Sequence, residues 1–210
     1  MRNKSDIKKI LAALDKEYPG AGCSLEHRNP LQLLVATILS AQCTDKRVNE
    51  VTKDLFKKYR TAADYAQVAP GELEADIRPT GFFKNKARSI KALGETLATK
   101  YKGRVPDSME ELVELPGVGR KTANVVLGTA FNVPGVVVDT HVARFAGRMG
   151  LSNQKDAVKI EFDLMAQIPR KKWIAFSHEV IAHGRRVCTA RKPDCPACLL
   201  LKLCPFGQSR

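Results

Sequence analysis

The sequence predicts an all-α protein. Three observations carry this: apolar residues recur at helical spacing through most of the chain, helix start signals stand before those runs, and β character is confined to one short stretch. The first run is amphipathic, with Ile7, Ile10, Leu11 and Leu14 on one face. Residues 30–40 are apolar nearly all round through Leu31, Leu33, Leu34, Val35, Ile38 and Leu39, which suits a helix at the centre of a bundle. Residues 45–59 repeat Val48, Val51, Leu55 and Tyr59, and Thr61-Ala62-Ala63-Asp64 opens a short helix. Residues 70–77 begin with a proline in the first turn. Residues 85–101 align Ile90, Leu93 and Leu97. Ser108-Met109-Glu110-Glu111 has the capping-box pattern for a helix ending near Leu115, and a further helix is expected over 120–130. Val136-Val137-Val138 reads as a buried connector, and residues 173–183 resume the helical pattern. The helical pattern breaks at Asn132-Val133-Pro134-Gly135, where a domain seam is expected.

At 210 residues and 44% hydrophobic content, the chain suits one domain or two small ones with a sizeable core. It has no solenoid repeat and no low-complexity tract. Its start is charged and it has no long apolar segment, so neither a signal peptide nor a membrane span is expected, and a soluble cytoplasmic protein is. The net charge of +13 and pI near 9.6 favour a polyanionic partner. Much of the excess lies late, at Arg170-Lys171-Lys172, Arg185-Arg186 and Arg191-Lys192.

Two constellations carry chemistry. Leu115-Pro116-Gly117-Val118-Gly119 joins two helices through a Gly-x-Gly turn. Backbone N–H groups at such a turn, with the positive end of the second helix, form an anion site, and the glycines let a phosphate come close. Lys121 stands just inside that second helix, and Asp139 precedes Thr140-His141-Val142-Ala143-Arg144, where it fits a helix cap. The other constellation is Cys188, Cys195, Cys198 and Cys204, spaced Cys-x6-Cys-x2-Cys-x5-Cys. Four cysteines so close form one metal centre, and their spacing is open to zinc or to an iron–sulfur cluster. Cys23 and Cys43 lie far upstream in apolar contexts.

The run from Leu115 to Ala123, then Val138 to Arg144, then the cysteine tail, with Leu39-Ser40-Ala41-Gln42-Cys43-Thr44-Asp45 near the front, resembles the endonuclease III family of helix-hairpin-helix DNA glycosylases and AP lyases. The resemblance covers almost the whole chain. It implies a two-lobed fold, with a helical bundle over 23–133 carrying the hairpin and a second lobe of 1–22 and 134–210 carrying a [4Fe–4S] cluster on the four cysteines. DNA would lie across the groove between the lobes. The implied activity is excision of oxidised pyrimidines from duplex DNA, followed by nicking at the abasic site through a lysine Schiff base. Lys121 would be the nucleophile and Asp139 its partner. A lysine attacks only as the neutral amine, so its pKa must fall or a neighbour must take its proton, and Asp139 offers itself as that neighbour. The partner would be duplex DNA with oxidised pyrimidines or abasic sites, met by a monomer in the bacterial cytoplasm at the nucleoid. DNA contacts would come from Leu115, Gly117, Val118 and Gly119 of the hairpin and from Arg191 and Lys192 in the cysteine loop. Gln42 would fill the gap left by a flipped base. Phe82, where the family more familiarly carries leucine, would wedge the opposite strand. His141 is expected to be a structural neighbour of Asp139. Two rivals are a monofunctional adenine glycosylase, which lacks the lysine, and a non-catalytic DNA-binding module with a zinc staple.

Overall fold

The computed structural model describes residues 2–209, with Pro70 described by its backbone alone. Among the described residues there are α-helices and short 3₁₀ turns but no strand. The helices in chain order are α1 (Lys4–Glu17), α2 (Pro30–Leu39), α3 (Asp45–Lys58), α4 (Ala62–Gln67), α5 (Pro70–Ile77), α6 (Phe83–Lys100), α7 (Met109–Val113), α8 (Arg120–Ala130), α9 (Thr140–Met149), α10 (Ala157–Gln167), α11 (Trp173–Arg186) and α12 (Pro205–Gln208). They divide into two compact units. One runs from Cys23 to Asn132; the other combines the chain up to Gly22 with the chain from Val133 onward.

The unit from Cys23 to Asn132 is built around α2, which buries Leu31 and every residue from Leu33 to Leu39. A helix apolar on all sides needs neighbours on all sides, and α3, α6 and α8 pack against it. Caps set where these helices start. Asn29 accepts from Gln32 N–H before α2, Thr44 accepts from Arg47 N–H before α3, and Thr61 with Asp64 forms a full capping box at α4. At Ser108 the reciprocity differs from the sequence pattern. Its hydroxyl accepts from Glu111 N–H at 3.3 Å, while the Glu111 carboxylate takes the Ser108 hydroxyl at 2.7 Å. The α4–α6 crossing is close because Gly94 lacks a side chain: a Cβ there would stand 2.7 Å from the Ala62 carbonyl oxygen and 2.8 Å from Tyr65 Cβ.

The second unit packs α1, α9, α10 and α11 around Ile10, Leu14, Phe145, Leu164, Phe176 and Val180. Residues 136–138 are buried without pairing as a strand. A side chain on α11 meets part of the connector's hydrogen-bonding need, since Ser177 Oγ accepts from Val137 N–H at 3.0 Å and donates to the Trp173 carbonyl at 2.8 Å. Helix α10 is not marked by the apolar spacing. It exposes Val158 and Phe162 and buries Glu161, which inverts the usual pattern over one turn.

Candidate nucleic-acid and metal site

In the first unit, α7 ends at Val113 and the chain turns through Leu115-Pro116-Gly117-Val118-Gly119 into α8. Leu115 and Val118 anchor this turn by burying their side chains, so only their backbone is available to a ligand. Gly117 and Gly119 are exposed. Gly117 has φ +77°, and a Cβ there would stand 2.8 Å from Ser89 Cβ, so both its conformation and its packing against α6 require glycine. Gly119 is the N-cap of α8 and makes no side-chain cap bond. The first turn of α8 therefore meets solvent without the oxygen that caps most of its neighbours, which is the condition for an anion to take that place. Lys121 lies in this first turn, with its side chain exposed.

Two more exposed side chains of this unit stand on unusual backbone. Among the described residues the non-glycine positions with positive φ are Gln42, Phe82, Lys102 and Asn132. Gln42 (φ +53°) follows α2 in a turn closed by Cys43 N–H donating to the Ser40 carbonyl at 3.1 Å. Phe82 (φ +48°) is the N-cap of α6. Phe82 is 62% exposed, which excludes a core role. Left-handed backbone at a non-glycine residue costs on the order of 1 kcal/mol or more and persists where the surroundings hold it.

In the second unit, Asp139 is the N-cap of α9. Its Oδ1 accepts from His141 N–H at 2.8 Å and Val142 N–H at 2.9 Å. Both cap bonds use Oδ1, which spares Oδ2 the cap. The cap and a chemical role are thus compatible: one oxygen locks the carboxylate while the other keeps its lone pairs. The His141 ring lies 3.0 Å from Arg144 Nη2, whose guanidinium also donates to the Cys188 and Gly184 carbonyls, so Arg144 joins α9 to α11 with His141 beside it.

Cys188, Cys195, Cys198 and Cys204 line one pocket together with Phe145, Arg148, His183 and Phe206. No group of three or more His, Cys, Asp or Glu side chains among the described residues is placed to hold a single metal ion. Four sulfurs around one pocket form a donor set suited to a metal centre, whether zinc or an iron–sulfur cluster. Burial pushes the Cys198 and Cys204 thiols up, and the neighbouring cysteines add to this against N–H donors that pull the other way. Thiols so placed ionise when a positive centre compensates them.

Donors around the pocket suit anionic sulfur. Arg148 Nη1 lies 3.2 Å from Cys188 Sγ, and its guanidinium stacks 4.3 Å from the Phe206 ring centroid. Gly207 N–H donates to Cys204 Sγ at 3.4 Å. His183 Nε2 lies 3.6 Å from Cys198 Sγ and Nδ1 is 2.9 Å from the Tyr18 hydroxyl. Against a thiolate only Nε2–H can donate, so Tyr18 must donate to Nδ1. Nothing in the spacing of Arg148, His183 or Tyr18 marks them; their role appears only when α1, α9 and α11 meet. Arg191 and Lys192 are exposed on the six-residue loop. That loop is tied by Arg148 to the Thr189 and Ala190 carbonyls and by Thr189 Oγ1 to the Lys192 carbonyl. Part of the late basic excess is spent internally instead: Lys172 pairs with Asp15 at 2.7 Å and Arg186 with Glu17 at 3.0 Å.

A model of the HhH-GPD superfamily base excision DNA repair proteins matches residues 35–170, more than half of the chain and inclusive of the hairpin, Lys121 and Asp139. Fold and hairpin thus define a base excision DNA repair protein of that superfamily. An endonuclease III of Synechocystis sp. is 52% identical over 207 residues, covering 98% of this chain and 94% of its own. Two solved structures, a non-covalent endonuclease III–DNA complex and a trapped endonuclease III–DNA covalent intermediate, each match at 50% identity and TM-score 0.95, over 100% of this chain and 99% of theirs. The chain belongs to the endonuclease III family. No helix among the described residues is long and apolar enough to cross a membrane.

Proposed function

We propose that the chain excises oxidised pyrimidines from duplex DNA and then cuts the strand 3′ to the abasic site. The observation that carries this reading is Lys121: an exposed amine in the first turn of α8, directly after an uncapped glycine turn suited to a backbone phosphate. The hairpin backbone at Gly117 and Gly119 grips a phosphate of the lesion strand, Gln42 fills the gap from which the damaged nucleotide has turned out, and Phe82 wedges the opposite strand. The neutral Lys121 amine attacks C1′. The bond from C1′ to the base breaks and the base leaves with the electron pair. The sugar ring opens to a Schiff base on Nζ. Loss of a C2′ proton and cleavage of the C3′–O bond release the 3′ phosphate, and water returns the lysine. Asp139 takes the proton that the amine must lose and balances cationic character at the sugar.

Cys188, Cys195, Cys198 and Cys204 are assigned to one [4Fe–4S] cluster, supported by the cysteine-lined pocket and its N–H donors toward sulfur. When bound, it supplies cross-linking of the last turns of the chain. Arg191 and Lys192 then reach DNA phosphates from a rigid loop at little entropic cost. The protein acts as a monomer in the bacterial cytoplasm, at the nucleoid.

Borohydride trapping on duplexes with an abasic site or an oxidised pyrimidine tests the reading. Wild-type protein should form a covalent adduct. Lys121→Gln should bind the same DNA and lose trapping by about 10³-fold or more. An adduct persisting in Lys121→Gln and mapping to another residue would overturn the assignment.

A further inference from the structure

Lys86 is a lysine in the apolar core of the first unit. It is 5% exposed, on the face of α6 that also buries Ala87, Ile90 and Leu93. Its ammonium donates to the Leu39 carbonyl and to the Thr80 carbonyl, each at 2.8 Å. Leu39 is the last residue of α2, and Thr80 is the last residue of the 3₁₀ turn Arg78–Thr80. Carbonyls at such ends lack the partner that the next helical turn would supply, and they sit at the negative end of the local dipole. One point charge with several donors satisfies both. The two chain ends can therefore stand no further apart than two such bonds allow.

Both carbonyls lead directly into strained backbone. Three residues after Leu39 comes Gln42, and two residues after Thr80 comes Phe82; both are exposed and both are left-handed. A methionine at position 86 would fill similar space without the cost of burying an ammonium, a cost that shows as a downward push on the Lys86 amine from burial, opposed by Cys43, but it would leave the Leu39 and Thr80 carbonyls unpaired. One ammonium meets both needs and at the same time ties the two strained turns at one separation.

We propose that Lys86 is a positioning residue that locks the Gln42 turn to the Phe82 turn, so that both side chains enter the duplex as one unit. The proposal rests on the reading that Gln42 fills the gap left by a flipped nucleotide and Phe82 wedges the opposite strand. It gives Lys86 no contact with DNA and no part in the bond changes at C1′.

The test is a cycle of variants: Lys86→Met, the pair Gln42→Ala with Phe82→Ala, and all three together. For each, single-turnover excision from a duplex with an oxidised pyrimidine is compared with borohydride trapping on a single-stranded abasic oligonucleotide, where no stack needs filling. The ratio of the two rates should fall about ten- to a hundredfold in Lys86→Met, the scale expected when a positioning group is misplaced by about an ångström. In the background lacking both inserted side chains, Lys86→Met should change that ratio by less than about twofold, because the coupled partners are gone. Equal losses on both substrates would mean that Lys86 only holds the fold, and an unchanged ratio would mean that it holds nothing relevant; either overturns the proposal. If the Gln42/Phe82 pair lowers the ratio and Lys86→Met does not, the proposal alone fails. If the pair itself leaves the ratio unchanged, the insertion reading fails and takes the proposal with it. Should Lys86→Met not fold, Lys86→Gln, which keeps a donor on a shorter arm, takes its place with the same outcomes.

Discussion

The unit from Cys23 to Asn132 and the tail from Cys188 onward are held together by different physics. The first surrounds α2 with apolar side chains, and its functional turns hang from the ends of helices that burial already fixes. In the tail, Leu200 is the one buried residue among those described from Cys188 on, and its helices run three or four residues. So little apolar area contributes only a few kcal/mol at about 25 cal/mol per Å², against an ordering cost of about 1–2 kcal/mol per residue. The tail keeps its shape through polar ties from α9 and α11 and through the proposed cluster. Cohesion in one region comes from a solvent-excluded core, and in the other from polar ties together with the proposed cluster.

Removing one cross-link should therefore have the largest effect on structure. Cys198→Ser should lower iron below the roughly four atoms per chain of an intact cluster. It should also open the chain after α11 to proteolysis while the Cys23–Asn132 unit stays resistant. Iron analysis and limited proteolysis read both, and a resistant, iron-free tail would place the tail's stability in the polar ties alone. Next in size is Asp139, where chemistry and local structure can be separated. Asp139→Asn should keep the α9 cap, with stability within about 0.5 kcal/mol of wild type, because Asn caps nearly as well. It should slow base release by about a hundredfold, the scale of a lost acid–base group. Asp139→Ala should cost about 1 kcal/mol more in thermal unfolding. If Asp139→Asn excises at the wild-type rate, Asp139 is only a cap.

In the apolar unit, Gly94→Ala should destabilise by about 1–3 kcal/mol through overpacking at the α4–α6 crossing, since the clash is with backbone that cannot swing away. Denaturant unfolding measures it, and a silent substitution would mean that the helices separate freely. The smallest effect concerns Glu179 on α11. Burial pushes its carboxyl up to about 7, with Asp15 adding and Lys172 opposing. Between the ordinary value of 4.5 and about 7, the folded protein keeps a proton that the unfolded chain has lost, so stability falls as pH rises through that window. Glu179→Gln should melt above wild type at pH 8, and the gap should close toward pH 5. A gap constant with pH would remove the carboxyl from the explanation.

The periodic apolar runs made most helices legible, and α2 stood out because every side of it is apolar. Helix α10 escaped because its surface turn carries Val158 and Phe162 and its buried turn carries Glu161. The candidate site divides in the same manner. The glycine turn, the Asp139 cap and the cysteine set were legible because a phosphate turn, a helix cap and a metal centre each demand particular residues at short spacing, whereas the proposed chemistry of Lys121 and Asp139 came only from the family resemblance. Gln42 and Phe82 were named only through the family resemblance, and their left-handed backbone could not be named at all, since it depends on how each turn is held. Lys86, Arg148, His183 and Tyr18 were silent for a stronger reason. Lys86 reaches a carbonyl 47 residues away and Tyr18 a histidine 165 residues away. Local patterning determines which segments coil and which residues can do chemistry. Only tertiary packing decides which buried donors meet which distant acceptors, because a hydrogen bond between remote segments leaves no periodic trace in the chain that forms it.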